Sequence, residues 1–361
     1  MLHQHPHRTR RWFGLALAAT CLVTAVFLIG SAPSPGDNAV LLFGIGVHIE
    51  PFGACVSPIA LDAGASPIGA ASNRMDYRRQ ADFERHVDDL ARLADVVESH
   101  GGLLTVQAQT PFTTSATEFG STVLADLEAR GHELALHFHE DAHLGRGAES
   151  LPASVWTAVM LEEVEFIRAA GVEGPIRYWS GGNLFIDLYD AAAAAELGIN
   201  SDWKNPNTQS TPDLLTGIHP WRPAGGTEGS DVLRFAQHDP GGPIVFLPEG
   251  AFDTELSADK QRIKDEGGLD AWLDVLEAAL LASLADVHPD RVNVFHFTAH
   301  PGEFVGNPNA PYEELDRFLT QVVDPLVAAG RIAWATFSEM ADAFATWEET
   351  HPGVDPRTPT K

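Results

Sequence analysis

Two periodicities alternate along most of this chain, and the switches between them mark its elements. Residues 39–49 (AVLLFGIGVHI) form a nearly unbroken apolar run, as a strand buried on both faces requires, and Pro51 stops it. From Asp82 to His100, residues Phe83, Val87, Leu90, Leu93, Val96 and Val97 recur at helical spacing, and Gly101-Gly102 closes the helix. A strand is predicted over 103–108, then a helix over 120–130 ended by Gly131. Leu134, Leu136 and Phe138 next alternate with Ala135, His137 and His139, which predicts a strand with one apolar face. Its other face carries two imidazoles about 7 Å apart, at roughly 3.3 Å per residue. Helix 155–170, strand 174–179, helix 188–197 and strand 199–203 follow. Short strands over 232–235 and 243–247, helix 269–285, strand 291–298, helix 312–329, strand 332–336 and helix 337–347 complete the series. Residues 53–80 read as a long loop, 204–232 as an excursion over one end, and the polar residues from Glu348 as a frayed tail.

Strands alternating with helices about eight times define an α/β chain with a parallel sheet, either a barrel or an open doubly wound sheet. There is no internal repeat and no second compositional block, so residues 36–347 form one domain between a leader (1–35) and a tail (348–361). His48 and Glu50, His137 and His139, Arg177, Asp202, and His296 and His300 all fall at predicted C-terminal strand ends. A barrel gathers those ends on one face, where barrel enzymes keep their chemistry, whereas an open sheet scatters them.

The leader adds a location. Arg8, Arg10 and Arg11 precede an almost wholly apolar run from Trp12 to Gly30, and residues 1–11 contain no acid. That is an export signal, and Thr9-Arg10-Arg11-Trp12-Phe13-Gly14-Leu15 looks like the twin-arginine type. Small residues at 30–32 offer a cleavage site, but Pro33 follows, so residues 12–30 also suit an uncleaved membrane anchor. The domain is expected outside the cytoplasmic membrane, periplasmic or extracellular. Fifty acids against 23 bases, a formal charge of −27, exclude a nucleic-acid partner. Cys21 and Cys55 define no disulfide framework.

Residues 131–143 (GHELALHFHEDAH) concentrate four histidines beside three carboxylates. Two imidazoles at one strand end can converge on a divalent metal. His137 and His139 are the first candidates, with Asp141 and His143 as nearby alternatives.

In this order the chain resembles the polysaccharide deacetylase family, over residues 39–346. Gly131-His132-Glu133-Leu134-Ala135-Leu136-His137 is similar to that family's strand leading to its first metal histidine. His48-Ile49-Glu50 stands where the family keeps an Asp-Asp pair, and Asp141 stands at the place of its second histidine. The segments around Arg177, Asp202 and His300, and Trp334-Ala335-Thr336-Phe337-Ser338-Glu339-Met340, are similar to its later motifs. The resemblance implies an irregular barrel of seven or eight β/α units and a metal-dependent hydrolase that removes an acyl group, N- or O-acetyl, from a carbohydrate. Zinc would be held among His48, Glu50, His137 and His139, with Glu50 as either ligand or base. His300 would be the general acid, with His296 as its rival, and Arg177 would orient the carboxylate base. Trp179 and Asp202 would wall a sugar site. A glycosidase using Asp202 or Glu249, or a binding protein without turnover, are the alternatives.

Overall fold

The structure is a computed structural model that describes residues 39–54, 56–67, 75–181, 188–202, 213–225, 232–251, 257–258, 264, 267–301 and 312–358. The leader 1–35, Cys55 and most of the 204–232 excursion lie outside the described residues. The strands are β1 (Leu41–His48), β2 (Leu104–Ala108), β3 (Glu133–His137), β4 (Tyr178–Ser180), β5 (Ile199–Asn200), β6 (Val245–Phe246), β7 (Ser257–Ala258), β8 (Asn293–Ala299) and β9 (Ile332–Trp334). They pair in the order β6-β5-β4-β3-β2-β1-β8-β7, with β9 also on β1, and every pairing is parallel. The sheet forms a half-barrel surrounded by helices, so the sequence expectation of a β/α barrel holds. Irregular backbone spans the side between β6 and β8. There Val294 N donates to Ile218 O (2.7 Å) and His296 N to Glu249 O (3.1 Å).

Alternation along β1 separates two cores. Leu41, Phe43, Ile45 and Val47 pack outward among the helices, while Leu42 faces a lumen filled by Phe337, Met340 and Phe344. Gly44 and Gly46 make that filling possible. A Cβ on Gly44 would lie 2.8 Å from Ala335 O, and one on Gly46 would lie 3.0 Å from Phe337 Cζ. The helix Phe337–Thr350 thereby plugs the entry end of the barrel. Its start is fixed by a capping box between Thr336 and Glu339. Phe337 N donates to Thr105 Oγ1 (3.0 Å) and Ser338 N to the half-buried carboxylate of Glu133 (3.1 Å). With that end closed, the mouth at the C-terminal strand ends is the end left for a site.

Some elements differ from the sequence reading. The 53–80 loop contains a helix at Pro58–Asp62, and Phe112–Phe119 is a further helix. Val232–Phe235 is a helical turn, not a strand: Phe235 turns into an aromatic cluster with Tyr189, Trp221 and Phe246 while Leu233 stays exposed. Four residues carry too little periodicity to separate the two. The tail is anchored, not frayed. The last helix runs to Thr350, and the Arg357 guanidinium lies 4.1 Å over the Trp221 ring and donates to Ala236 O (2.6 Å).

Candidate metal centre

β1 and β3 end beside each other, one strand apart, and bring His48, Glu50 and His137 together at the barrel mouth. One ligand atom from each lies within 4.8 Å of the others. The His48 and His137 rings stack with centroids 4.0 Å apart, and both residues are buried. Two imidazoles and one carboxylate are a donor set of catalytic zinc sites, so the chemistry of these residues fits a divalent ion.

The surroundings orient the donors. The Ser180 hydroxyl donates to Gln107 Oε1, so its oxygen is left to accept from His137 Nδ1, 2.9 Å away. A proton on Nδ1 makes Nε2 the basic nitrogen of His137, the arrangement that metal-binding histidines need. Asp202 Oδ2 accepts from Gly181 N (2.8 Å), and Gly181, at φ 104°, passes so close that a Cβ would lie 3.0 Å from the His137 ring. Asp202 is thus buried and fixes the backbone under His137 rather than forming an open sugar wall.

Glu50 sits between two further histidines. His300, just beyond β8, places Nε2 3.5 Å from Glu50 Oε1 and 3.2 Å from His48 Nδ1. His139 places Nε2 3.2 Å from Glu50 Oε2 and Nδ1 3.7 Å from Asp141 Oδ1. The expected strand through His139 stops at His137, and His139 instead precedes the short helix Glu140–Leu144. It stands on Glu50 rather than within the donor group. Burial opposes its charge, but hydrogen bonds to Asp141 and Glu50, with the nearby carboxylates, carry its pKa up to about 10.

Four sequence expectations fall elsewhere. Arg177 lies before β4 at the plugged end of the barrel, in a two-bond ion pair with Asp342 (2.6 and 3.0 Å), so it orients no base. His296 is fully buried in the lumen against Phe337, its Nε2 3.3 Å from Leu247 O, on β8 four residues before His300. Burial pulls its pKa down to about 4. Trp179 is completely buried in the outer core beside Tyr189, because alternation on β4 turns Tyr178 and Ser180 inward and Trp179 outward. His143, the alternative ligand of the sequence reading, is buried outside the donor group and hydrogen-bonded to Gln109 Oε1 at 2.6 Å. His132 ties the start of β3 to β2, accepting from Leu104 N at 3.0 Å.

Sequence reasoning missed Ser180, Gln107 and Gln109. A signal was present: Leu-Thr-Val-Gln-Ala-Gln alternates from residue 104, and its three polar members are all buried.

No protein-family model matches the chain, and no curated protein matches it by sequence. The architecture is nevertheless that of a polysaccharide-deacetylase-type barrel. A Mycobacterium smegmatis protein assigned as a polysaccharide deacetylase superposes with a TM-score of 0.55 at 16% identity, over 92% of this chain and 98% of its own. A Pseudomonas aeruginosa PAO1 protein assigned as a polysaccharide deacetylase gives 0.54 at 15% identity, over 88% and 94%. The Puue allantoinase gives 0.54 at 16%, over 93% of this chain and all of its own. At such identities the likeness shows a shared fold.

Proposed function

We propose that this chain is an exported, metal-dependent hydrolase that removes an acyl group, N- or O-acetyl, from a carbohydrate. The observation that carries the reading is the His48–Glu50–His137 donor group at the barrel mouth with His300 against it. A divalent ion bound there, zinc by the chemistry of the donors, supplies Lewis-acid polarisation of the acyl carbonyl and an acidified water. The protein's own part is orientation and proton transfer. Ser180 holds His137 by Nδ1, and each Glu50 oxygen holds one histidine, His300 or His139. His300 delivers the proton to the leaving amine or alkoxide. The structures assigned as polysaccharide deacetylases support the carbohydrate and the removal of an acyl group.

Residues 1–35 are the proposed route out of the cytoplasm, with 12–30 as the membrane anchor if uncleaved. Among the described residues no helix is long and apolar enough to cross a membrane.

The test pairs elemental analysis of the purified protein with acetate release from acetylated oligosaccharides, against His137→Ala. About one transition metal per chain, and acetate release lost in the variant, is the expected result. Reducing ends without acetate would replace the reading by a glycosidase. Glycan binding without turnover, with zinc present, would replace it by a binding protein.

A further inference from the structure

The peptide between His48 and Glu50 is gripped from both sides. Ile49 N donates to Gln107 O (3.0 Å), and Ile49 O accepts from Gln109 Nε2 (2.8 Å). Gln109 is fully buried, and its other amide atom, Oε1, faces His143 Nε2 (2.6 Å) and His139 N (3.4 Å). His143 in turn rests on Glu163, whose Oε1 lies 3.3 Å from His143 Nδ1, and both side chains are buried. Glu163 is held by Thr110 N and Thr110 Oγ1, each at 2.8 Å.

The bonds run in one direction. With Gln109 Nε2 committed to a carbonyl, Oε1 must accept, so His143 donates from Nε2 and accepts at Nδ1. Burial favours the uncharged form of both remaining members, taking His143 down to about 3 and Glu163 up to about 7. The chain is therefore a polar network inside a core, and its free end is the backbone carrying two of the three donors. A solvated strand end needs nothing of the kind, and the outer core alone would be served by apolar residues.

We propose that Gln109, backed by His143 and Glu163, is a positioning residue for the metal centre: it sets the Ile49 peptide, and with it the placement of His48 and Glu50. The proposal rests on the metal-centre reading above for its functional meaning, and its test reads the histidines directly as well as through metal. Cobalt(II) is titrated into the whole protein, wild type and Gln109→Met, by its visible absorption. In parallel, the ring signals of His48 and His137 are compared by nitrogen-15 NMR. Glu133→Gln, at the plugged end, is the control for lost stability.

Gln109→Met is expected to weaken cobalt binding by about 10- to 100-fold and to shift both ring signals. Glu133→Gln, at a comparable loss of thermal stability, is expected to change neither. Cobalt affinity within about twofold of wild type, with unmoved ring signals, overturns the proposal. Should Gln109→Met not fold, Gln109→Asn, which keeps the amide one methylene short of Ile49, is read by the same two outcomes. Should wild type bind no cobalt, the metal reading fails, and the ring signals alone decide: shifted signals support positioning, unchanged ones overturn it.

Discussion

Ser180→Ala tests the link between local hydrogen bonding and the metal centre. Ser180 is fully buried and joins His137 Nδ1 to Gln107 Oε1. Alanine keeps the backbone pairing of β4 and removes only the hydroxyl. Two buried polar groups then lose a partner, at roughly 1–3 kcal/mol each, so a total cost to folding of about 2–6 kcal/mol is expected. The effect on the site is separable. Without an acceptor at Nδ1 the ring is free to rotate and to carry its proton on Nε2, where it cannot bind metal. Loss of such a supporting bond weakens metal binding by about 10- to 100-fold, roughly 1.4–2.8 kcal/mol. Urea unfolding measures the first quantity and cobalt titration the second. A variant that loses stability yet binds cobalt as wild type does would refute the assignment of Nδ1 to Ser180 and Nε2 to the ion.

Three further outcomes follow from the same contacts. Phe337→Ala should cost about 3–5 kcal/mol by urea unfolding, because the ring is fully buried beneath Gly44 and Gly46 and against Tyr178 and His296; a loss under ~1 kcal/mol would show the lumen is not plugged by it. His86 is buried beside the Tyr77 hydroxyl, and burial lowers its pKa from 6.5 to about 3. Between those values the unfolded chain binds the extra proton, so stability should rise with pH up to about 6.5, and at pH 5 this group alone should cost ~2 kcal/mol relative to neutral pH. His86→Asn should reduce that acid-side slope by about one proton, and an unchanged slope would contradict the buried neutral imidazole. Arg177→Ala should cost less than about 1 kcal/mol, since both partners of its ion pair are half exposed, and should leave cobalt affinity unchanged; a large loss of affinity would return Arg177 to the site.

The fold was legible where pattern and boundary signals agreed. The helix Leu269–Ala285 has the predicted bounds, and β1, β2 and β8 differ from expectation by a few residues at their ends. Parallel pairing followed from the alternation of elements. Side-chain direction was less legible. The resemblance and a predicted strand end put Arg177 and Trp179 at the site, but alternation along three residues of β4 sends Trp179 into the outer core and leaves Arg177 at the opposite end. His139 was placed on a strand because period-two spacing does not mark where a strand stops. His48 and Glu50 were legible as site residues because their strand end was, and so were their partners His137, His139 and His300, but the supporting Ser180, Gln107 and Gln109 were not. The contacts of Gln109 with Ile49 and His143 join residues far apart in sequence, and no local spacing announces them.

The divided edge of β1 also has a consequence for how the chain reaches this state. β8 pairs with β1 along Leu41–Val47, while β2 pairs with Ile45–His48 and β9 with Leu41–Phe43, so β2 and β9 share the remaining edge. The first strand is therefore finished only when nearly the last has been synthesised. Leu41 waits for both Asn293 and Ile332. Long-range pairing of this kind slows folding, because the cost of closing the loop precedes the contacts that offset it. A nascent chain on the ribosome, lacking β8 and β9, presents β1 as an open apolar ribbon that cannot yet be satisfied. The interval between synthesis and completion is thus when this protein is most exposed to aggregation, and a chaperone that covers the N-terminal strand would act at that step.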